Sequence, residues 1–312
     1  MITYKKVKKK SRVFKSIAGV TITEFEDLYQ RFVPEWAKAE KKRLDRPERQ
    51  RAIGGGHPYA LELREMLLMT LVWLRLYLCL EALGFFFDVD KSTANRNTKR
   101  VLAVLRQLGD ATLGWPEPPK RGEGKSIEQA LRDYPELLAI IDATEQPIER
   151  PSDNEQQKAH YSGKKKRHTR KTQIIVNEKG EIRDVSPSMP GSTHDLEVFR
   201  QSETAEKIPE EVTAGGDSAY QGLHNELPNH SVFFPHKATR NHPLTEDEKL
   251  ANRELSSIRI VVENTLAELK HFRVLADRFR HNLDIYDDAF RAVVAIVNPR
   301  ISQRVAAAAA VA

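Results

Sequence analysis

Three carboxylates in this sequence occupy positions from which they could meet around metal ions. Asp142 directly follows the apolar run 137–141, Asp217 follows the stretch 212–216, and Glu263 lies in a helical stretch further along the chain. Two carboxylates at strand ends and one on a later helix can hold a pair of divalent cations, and such a pair promotes in-line displacement at phosphorus. The chemistry indicated is therefore metal-assisted attack on a phosphodiester.

These carboxylates are informative as a set. A single Asp at a strand end usually caps the turn that follows, and that explanation would suffice for Asp142 or Asp217 alone. Taken together, however, the three acids match a fold that has one acid on its first strand, one on its fourth strand and one on its last helix. Because Mg²⁺ prefers carboxylate oxygens together with water and substrate phosphate, we predict two Mg²⁺ ions, replaceable by Mn²⁺, with Asp142, Asp217 and Glu263 as catalytic and metal-binding residues.

The elements that must position these acids begin near residue 137. Short apolar runs predict strands at 137–143, 171–176, 181–185, 212–214 and 232–234. Helices between and after these strands complete a mixed sheet covered on its faces. The same order describes the ribonuclease-H-like nuclease core, whose acids lie on the first strand, the fourth strand and the last helix. The predicted fold class is thus α/β, with a ribonuclease-H-like mixed-sheet catalytic core preceded by an all-α helix-turn-helix domain.

That preceding domain is predicted from residues 61–108, which show helical spacing in three segments. The third helix buries the apolar side chains of Val101, Leu102, Leu105 and Leu108. It exposes Arg96, Lys99 and Arg100, as a recognition helix entering the major groove of DNA would. Any small three-helix domain with a basic face gives the same pattern, so both interpretations stay open at this point.

Charge favours a nucleic-acid partner. The chain has 50 Lys and Arg residues against 44 Asp and Glu, a net charge of +6. Lys164, Lys165, Lys166 and Arg167 open a basic run that leads into the strand beside Asp142. Such runs are often solvated loops or targeting signals, but this position next to the predicted site favours a surface that follows the DNA backbone.

Two further groups of residues are candidates for the site. Arg259 and Lys270 lie on the helix of Glu263, where they could bind phosphates, although an exposed Arg–Glu pair would explain Arg259 equally well. His194 and Asp195 could form an auxiliary acidic corner. The alternative for Asp195 is a capping box, formed by residues 192–195 at the start of a short helix.

Composition excludes several other classes of protein. A single cysteine, Cys79, allows neither a disulfide framework nor a cysteine-based zinc site. The segment 67–87 is apolar enough to suggest a membrane span, but Arg75, Glu81 and Gly84 interrupt it, which favours a pair of buried helices. The basic residues 1–15 lack the apolar core of a signal peptide. We therefore expect a cytoplasmic, nucleoid-associated protein without a membrane partner.

Several motifs together resemble a bacterial insertion-sequence transposase of the DDE superfamily, of the group with an N-terminal helix-turn-helix. The resemblance covers about residues 20–302. Its most specific matches are the segments 141–145, 160–166, 190–195 and 216–222. A signature of Tyr, two residues, Arg, three residues, Glu, six residues and Lys is met by Arg259, Glu263 and Lys270, with Ser256 at the position of the Tyr.

The resemblance implies a function. It implies binding of the terminal inverted repeats of an element, hydrolysis of the element's ends and transfer of their 3′-hydroxyls to target DNA. The partners would be double-stranded DNA, both element ends and target, and further copies of the chain, as a homodimer or higher oligomer in a synaptic complex. A stand-alone or domesticated endonuclease, and a catalytically inert DNA-binding repressor, are the alternatives.

The predicted domain boundaries follow from the motifs and from a proline-rich stretch at 115–119. A basic helical N-terminal region and a low-complexity tail flank the helix-turn-helix, the linker and the endonuclease domain. In chain order the predicted segments are 1–55, 56–112, 113–135, 136–302 and 303–312.

Overall fold

The computed structural model describes residues 1–45, 58–115, 138–238 and 243–310. The chain forms two compact units, each built from two stretches of sequence. The first unit contains Met1–Ala111 and Leu269–Arg300, and the second contains Thr112–Glu268 and Ile301–Ala312. Most of the predicted linker, residues 116–135, and the predicted boundary between residues 55 and 56 lie outside the described residues.

The first unit is helical, and it contains the three helices predicted between residues 61 and 108. The described helices that begin in this unit are α1 (Tyr4–Val7), α2 (Ser11–Ala18), α3 (Ile22–Leu44), α4 (Leu63–Leu76), α5 (Leu80–Phe87), α6 (Lys91–Asp110), α11 (Arg273–Ala276) and α12 (Tyr286–Ala309). Helix α6 starts at Asp90, whose carboxylate accepts the Thr93 N–H at 2.9 Å, an N-cap of the usual kind. Its predicted apolar face, Val101, Leu102, Leu105 and Leu108, is buried.

Residues 269–300 are an integral part of this helical unit. Gly109 of α6 lies so close to the Arg291 carbonyl of α12 that a Cβ atom there would come within 2.2 Å of the oxygen. Arg106 pairs with Asp288 at 2.8 Å, and Arg300 pairs with Glu24 at 2.6 Å. The predicted endonuclease segment 136–302 therefore contributes its helices α11 and most of α12 to the same unit as the helix-turn-helix.

The second unit contains one mixed sheet. Its strands are β1 (Leu138–Pro147), β2 (Tyr161–Ser162), β3 (Arg167–Val176), β4 (Ile182–Val185), β5 (Met189–Pro190), β6 (Thr213–Gly216) and β7 (Val232–Phe233). The order across the sheet is β2-β3-β1-β6-β7, with β4 and β5 also paired to β3. Strands β1 and β3 are antiparallel, whereas β6 is parallel to both β1 and β7. This topology confirms the ribonuclease-H-like core.

Helices complete this unit, as expected for a sheet that must bury its faces. They are α7 (Asn154–His160), α8 (Asp195–Gln201), α9 (Leu223–Glu226) and α10 (Glu246–Lys270). A buried cluster that includes Ile141, Ile175, Phe199 and Tyr220 joins the sheet to α8. This packing holds in place the neighbouring parts of β1 and β6 beside which Asp142 and Asp217 lie.

Two further predictions concern the apolar segment 67–87 and the low-complexity tail 303–312. The apolar segment 67–87 forms most of α4 and all of α5, so the predicted helix pair is confirmed. The predicted burial holds for α4, whereas α5 leaves Phe85 and Phe86 exposed. Within the described ranges, no helix is long and apolar enough to cross a membrane. Helix α12 runs on to Ala309, so most of the predicted tail 303–312 is helical, consistent with the high helix propensity of alanine.

Candidate active site

The parallel pairing of β1 and β6 places Asp142 beside Asp217. Ile141 lies opposite Gly216 in the last pair of the parallel register, and each Asp is the next residue along the chain. Asp217 directly follows β6, as predicted, whereas Asp142 lies in the middle of β1, because pairing with β3 continues this strand to Pro147. The carboxyl ends of neighbouring parallel strands form the usual site edge of an α/β sheet. The structure thus brings together two of the three predicted acids.

The glycine before Asp217 is required by close packing. A Cβ atom on Gly216 would lie 2.8 Å from the Tyr220 ring and 2.9 Å from the Ile141 carbonyl oxygen. Real Cβ atoms do not approach so closely, so a side chain here would push β6 away from β1 or displace Tyr220. The glycine therefore sets the separation of β1 and β6 next to the two acids.

Both carboxylates are oriented by backbone N–H groups. The Asp217 Oδ1 atom accepts the Ala219 N–H at 2.8 Å and caps the short 3₁₀ turn Ser218–Tyr220. The Asp142 Oδ1 atom accepts the N–H of Ala143 at 2.8 Å. Each bond holds one carboxylate oxygen in a fixed position, so the two side chains are oriented before any ligand arrives.

Asp142 lies in an environment that disfavours its charge. Its pKa is raised to about 6, chiefly by burial and also by the nearby charges of Asp217 and Asp195, against the lowering effects of the Ala143 N–H and Arg259. Tyr220 is fully buried and feels the same three carboxylates, which together with burial raise its pKa well above the usual value. A bound cation would relieve this repulsion, so the residues fit a divalent metal.

We expect Asp142→Asn to stabilise the protein in the absence of divalent metal. Because folding raises the pKa of Asp142 from 3.8 to about 6, the ionised carboxylate costs free energy that appears as the pH rises through this window and is full above it. Urea unfolding should show a gain of up to about 3 kcal/mol at pH 7, and little gain at pH 4.

The matched control is Asp247→Asn, since Asp247 is exposed in the first turn of α10. Its loss should cost less than about 1 kcal/mol at either pH. A destabilised Asp142→Asn variant at pH 7 would contradict the proposed cost of the buried charge.

Asp195 is held by a buried lysine and does not form the predicted capping box. Helix α8 has His194 at its N-cap without a side-chain capping bond, and His194 is exposed. The Nζ atom of Lys171 lies 2.6 Å from the Asp195 carboxylate, 2.6 Å from the Thr193 carbonyl oxygen and 3.8 Å from Glu145. The capping-box interpretation is wrong because this buried ammonium is a stronger partner for the carboxylate than a backbone amide.

Glu263 remains apart from the two strand-end acids in this conformation. Its side chain is 56% exposed and lies 3.5 Å from the Arg259 guanidinium, one turn earlier on α10. The apolar spacing of this helix predicts a buried stripe of Ile258, Val262, Leu266 and Leu269. The last three are buried, whereas Ile258 is half-buried. Among the described residues, no three carboxylate, histidine or cysteine side chains converge closely enough to hold one metal ion.

Arg259 links Glu263 to the strand ends. It pairs with Glu263, and its charge also lowers the pKa of Asp142. Ser256, at the position of the expected Tyr, donates its hydroxyl to the Asn252 carbonyl at 2.7 Å on the same helix. Lys270 is the exposed last residue of α10.

The basic run divides into exposed and buried residues. Lys164, Lys165, Lys166 and Arg167 are all exposed around the turn that connects β2 with β3. Further along β3, Arg170 donates to Ser188 at 2.8 Å, and Lys171 is buried against Asp195. The first four residues are thus available for a phosphate backbone, whereas the end of the run is part of the site.

The predicted recognition helix carries its basic residues in different surroundings. Arg96 is exposed near the start of α6, the part of such a helix that usually contacts base edges. Lys99 is exposed and lies 3.4 Å from Asp284. Arg100, predicted to be exposed, is half-buried, and its guanidinium lies 5.6 Å from the centre of the Tyr59 ring.

Sequence reasoning missed Lys171, Glu145 and Tyr220 as parts of the site. Lys171 lies opposite Glu145 in the β1–β3 register, a pairing that a run of basic residues conceals. The alternation of side chains along a strand could have revealed Lys171. When a basic run continues into a strand, some of its residues must point inward. Tyr220 lies in the motif at 216–222, but its burial against Gly216 depends on the 3₁₀ turn that follows β6.

Comparison with known proteins agrees with this geometry. Residues 141–298 match the family described as DDE superfamily endonuclease, and residues 59–111 match the helix-turn-helix of DDE superfamily endonuclease. The chain is 28% identical over 272 residues to a probable transposase for insertion sequence element IS702 from Microchaete diplosiphon, covering 87% of this chain and 88% of the relative. No solved structure matches.

The endonuclease match spans more than half of the chain, and it contains both strand ends and Glu263. The helix-turn-helix match coincides with α4, α5 and α6. This agreement resolves the alternative left open for the three-helix segment. The chain belongs to the DDE superfamily of endonucleases and carries that superfamily's helix-turn-helix.

Proposed function

We propose that this protein is a transposase that binds the terminal inverted repeats of an insertion sequence, cleaves the element's ends and joins their 3′-hydroxyls to target DNA. The observation that supports it best is the adjacency of Asp142 and Asp217 at the point where the parallel pairing of β1 with β6 ends. The extent of the match to the probable IS702 transposase supports the same function.

The proposed cofactors are two Mg²⁺ ions, held by Asp142, Asp217 and Glu263. Enzymes of the DDE superfamily use divalent metal ions, and hard carboxylate oxygens suit Mg²⁺ or Mn²⁺. When bound, such a pair activates water or a 3′-hydroxyl and offsets charge on the leaving oxygen. Glu263 would have to turn from Arg259 toward the strand ends, and a DNA phosphate that pairs with Arg259 would favour this exchange.

Other residues of the chain would bind and orient the DNA. Arg259 lies close enough to Asp142 to affect its pKa, so it could hold the phosphate that reacts. Lys171 holds the Asp195 side chain in place as an auxiliary carboxylate, and His194 lies exposed next to it. The remaining proposed DNA contacts are Arg96, Lys99 and Arg100 on α6, Lys164, Lys165, Lys166 and Arg167 at the β2–β3 turn, and Lys270 on α10.

Assembly and location stay predictions. Double-stranded DNA is the proposed partner, as element ends and as target. Two ends must be held together for joining, so we propose a homodimer or higher oligomer in the synaptic complex, with the protein acting at the nucleoid.

Metal dependence tests the proposed function. Duplexes made from the DNA that flanks the reading frame on either side would be incubated with the full chain. We expect cleavage with Mg²⁺ or Mn²⁺, and binding with little cleavage in Ca²⁺, because Ca²⁺ accepts looser coordination at longer distances. Full cleavage in excess chelator would contradict the metal mechanism.

The same assay separates the alternatives. A supercoiled plasmid added as target would show joined products if strand transfer occurs. Cleavage without joining would support a stand-alone endonuclease, and binding without cleavage in every metal would support an inert repressor.

A further inference from the structure

The excess positive charge of this protein is concentrated at its N-terminal end. Residues 1–23 contain no Asp or Glu, and seven Lys and Arg residues fall between positions 5 and 15. The other 43 Lys and Arg residues are outnumbered by the 44 Asp and Glu residues. The net positive charge of the whole chain therefore comes from this short stretch, which lies outside both regions matched to known families.

This stretch is folded and anchored within the helical unit. We call residues 4–18, which contain α1 and α2, the N-terminal basic segment. Tyr4 and Phe14 are buried, and the Tyr4 ring stacks on Phe25 with 5.1 Å between ring centres. The Tyr4 N–H donates to the Glu65 carboxylate at 2.9 Å. The segment thus holds its charges on an ordered surface, unlike a loose basic tail.

The anchoring also connects the segment to the helix-turn-helix. The N–H of Ile2 donates to the Phe86 carbonyl at 2.7 Å, at the end of α5. Helix α5 leads through Asp88 to the start of α6. The N-terminal basic segment is therefore attached to the helix-turn-helix. DNA bound along α6 would be bound by a unit that also carries this segment.

Most charges of the segment are available to a ligand. Lys6, Lys9, Lys10, Arg12 and Lys15 are exposed. Within the described parts of the chain, none of these five forms an ion pair with a carboxylate. Lys5 and Lys8 differ, since the carboxylates of Glu65 and Glu26 feel their charges. Mutual repulsion among unpaired lysines is a cost that a polyanion would remove.

We propose that the N-terminal basic segment is a second DNA-binding surface, which contacts the phosphates of duplex DNA without reading its sequence. Duplex DNA is the partner that matches a dense row of positive charges with no aromatic side chain among the exposed ones. The inference goes beyond the proposed function, because it assigns DNA contact to residues outside the recognition helix and the catalytic unit.

The salt dependence of binding tests this proposal. The full chain and a Lys6→Gln, Lys9→Gln, Arg12→Gln triple variant would be titrated with a random-sequence duplex from 50 to 200 mM salt. Each phosphate that a side chain no longer neutralises lowers the slope of log affinity against log salt by about 0.9. The wild type should therefore lose roughly fortyfold more affinity than the variant across this range.

A matched control removes the same charge elsewhere in the unit. Lys38→Gln, Lys41→Gln, Lys42→Gln changes three exposed residues of α3 and should retain the wild-type slope. A Lys10→Gln, Lys15→Gln double variant gives an independent measure, because it removes two other phosphate-binding charges and should lower the slope by about 1.8. Thermal unfolding of each variant confirms that the fold is kept.

Equal slopes for the N-terminal variants and the α3 control would overturn the proposal. So would an unchanged slope on duplex DNA together with weakened binding to vesicles of anionic phospholipid, which would assign the segment to a membrane surface. This test measures binding and not cleavage, so its result can be interpreted even if the proposed catalysis fails.

Discussion

Glu263→Gln should leave a folded protein that binds DNA ends normally and cleaves them at least about a thousandfold more slowly. Glutamine keeps the shape and hydrogen bonding of the side chain but removes a metal-binding charge. A metal centre supplies several kcal/mol of transition-state stabilisation, and each 1.36 kcal/mol is a tenfold change in rate. Single-turnover cleavage in Mg²⁺ and a parallel binding measurement in Ca²⁺ would separate the two effects.

Glu263 lies at an exposed position in the structure, where a substitution ordinarily has little effect. Its pairing with Arg259 at 3.5 Å would by itself be worth only a few tenths of a kcal/mol. If that surface pair were its whole role, the substitution would be nearly silent. A large loss of cleavage with intact binding therefore requires Glu263 to join Asp142 and Asp217 during the reaction.

Glu268→Gln is the matched control on the same helix. Glu268 pairs with Arg304 at 2.6 Å at the surface, and the loss of such a pair costs about 0–1 kcal/mol of stability. Cleavage should be close to that of the wild type. Equal rates for the two variants would mean that the third acid is misassigned, and Asp195, whose charge already acts on Asp142, would be the next candidate.

A fragment spanning residues 136–312 should fail to fold, although it contains the complete predicted endonuclease segment. Residues 269–300 belong to the helical unit, where Phe272, Phe279, Tyr286 and Phe290 are buried. Without residues 1–111 these side chains would meet water, at a cost of about 1.5–3 kcal/mol for each large one. For these four side chains the total is about 6–12 kcal/mol, which is comparable to the whole stability of a domain, about 5–15 kcal/mol. Circular dichroism and urea unfolding of the purified fragment would show the loss.

Complementation provides the control for this prediction. Co-expression of residues 1–115 with residues 136–312 supplies the partner helices without the linker. We expect the two pieces to co-purify and to unfold cooperatively, because Arg106–Asp288 and Arg300–Glu24 join them within one unit. Cooperative unfolding of 136–312 on its own would contradict the expected dependence.

The sequence determined the local elements and the order in which they occur. Apolar runs and helical spacing predicted the strands of the sheet, the three helices of the helix-turn-helix and the buried face of α10, because burial of apolar side chains imposes periods of 2 and 3.6 residues. The position of Asp217 at a strand end followed from the same runs, whereas Asp142 lies within β1, which pairing with β3 extends to Pro147. A resemblance in motifs then supplied the superfamily, which the comparisons confirm.

Tertiary structure decided which distant residues meet. Asp195 forms an ion pair with Lys171 because α8 and β3 pack together, whereas the local sequence around Asp195 has the form of a capping box. Helix α11 packs against α4, and α12 packs against α6, where Gly109 allows close approach to Arg291. The position of Asp142 beside Asp217, which contributes to its raised pKa, likewise depends on the β1–β6 register. Local patterns report only which face of an element is buried, and the partner that buries it is chosen by contacts across the whole chain.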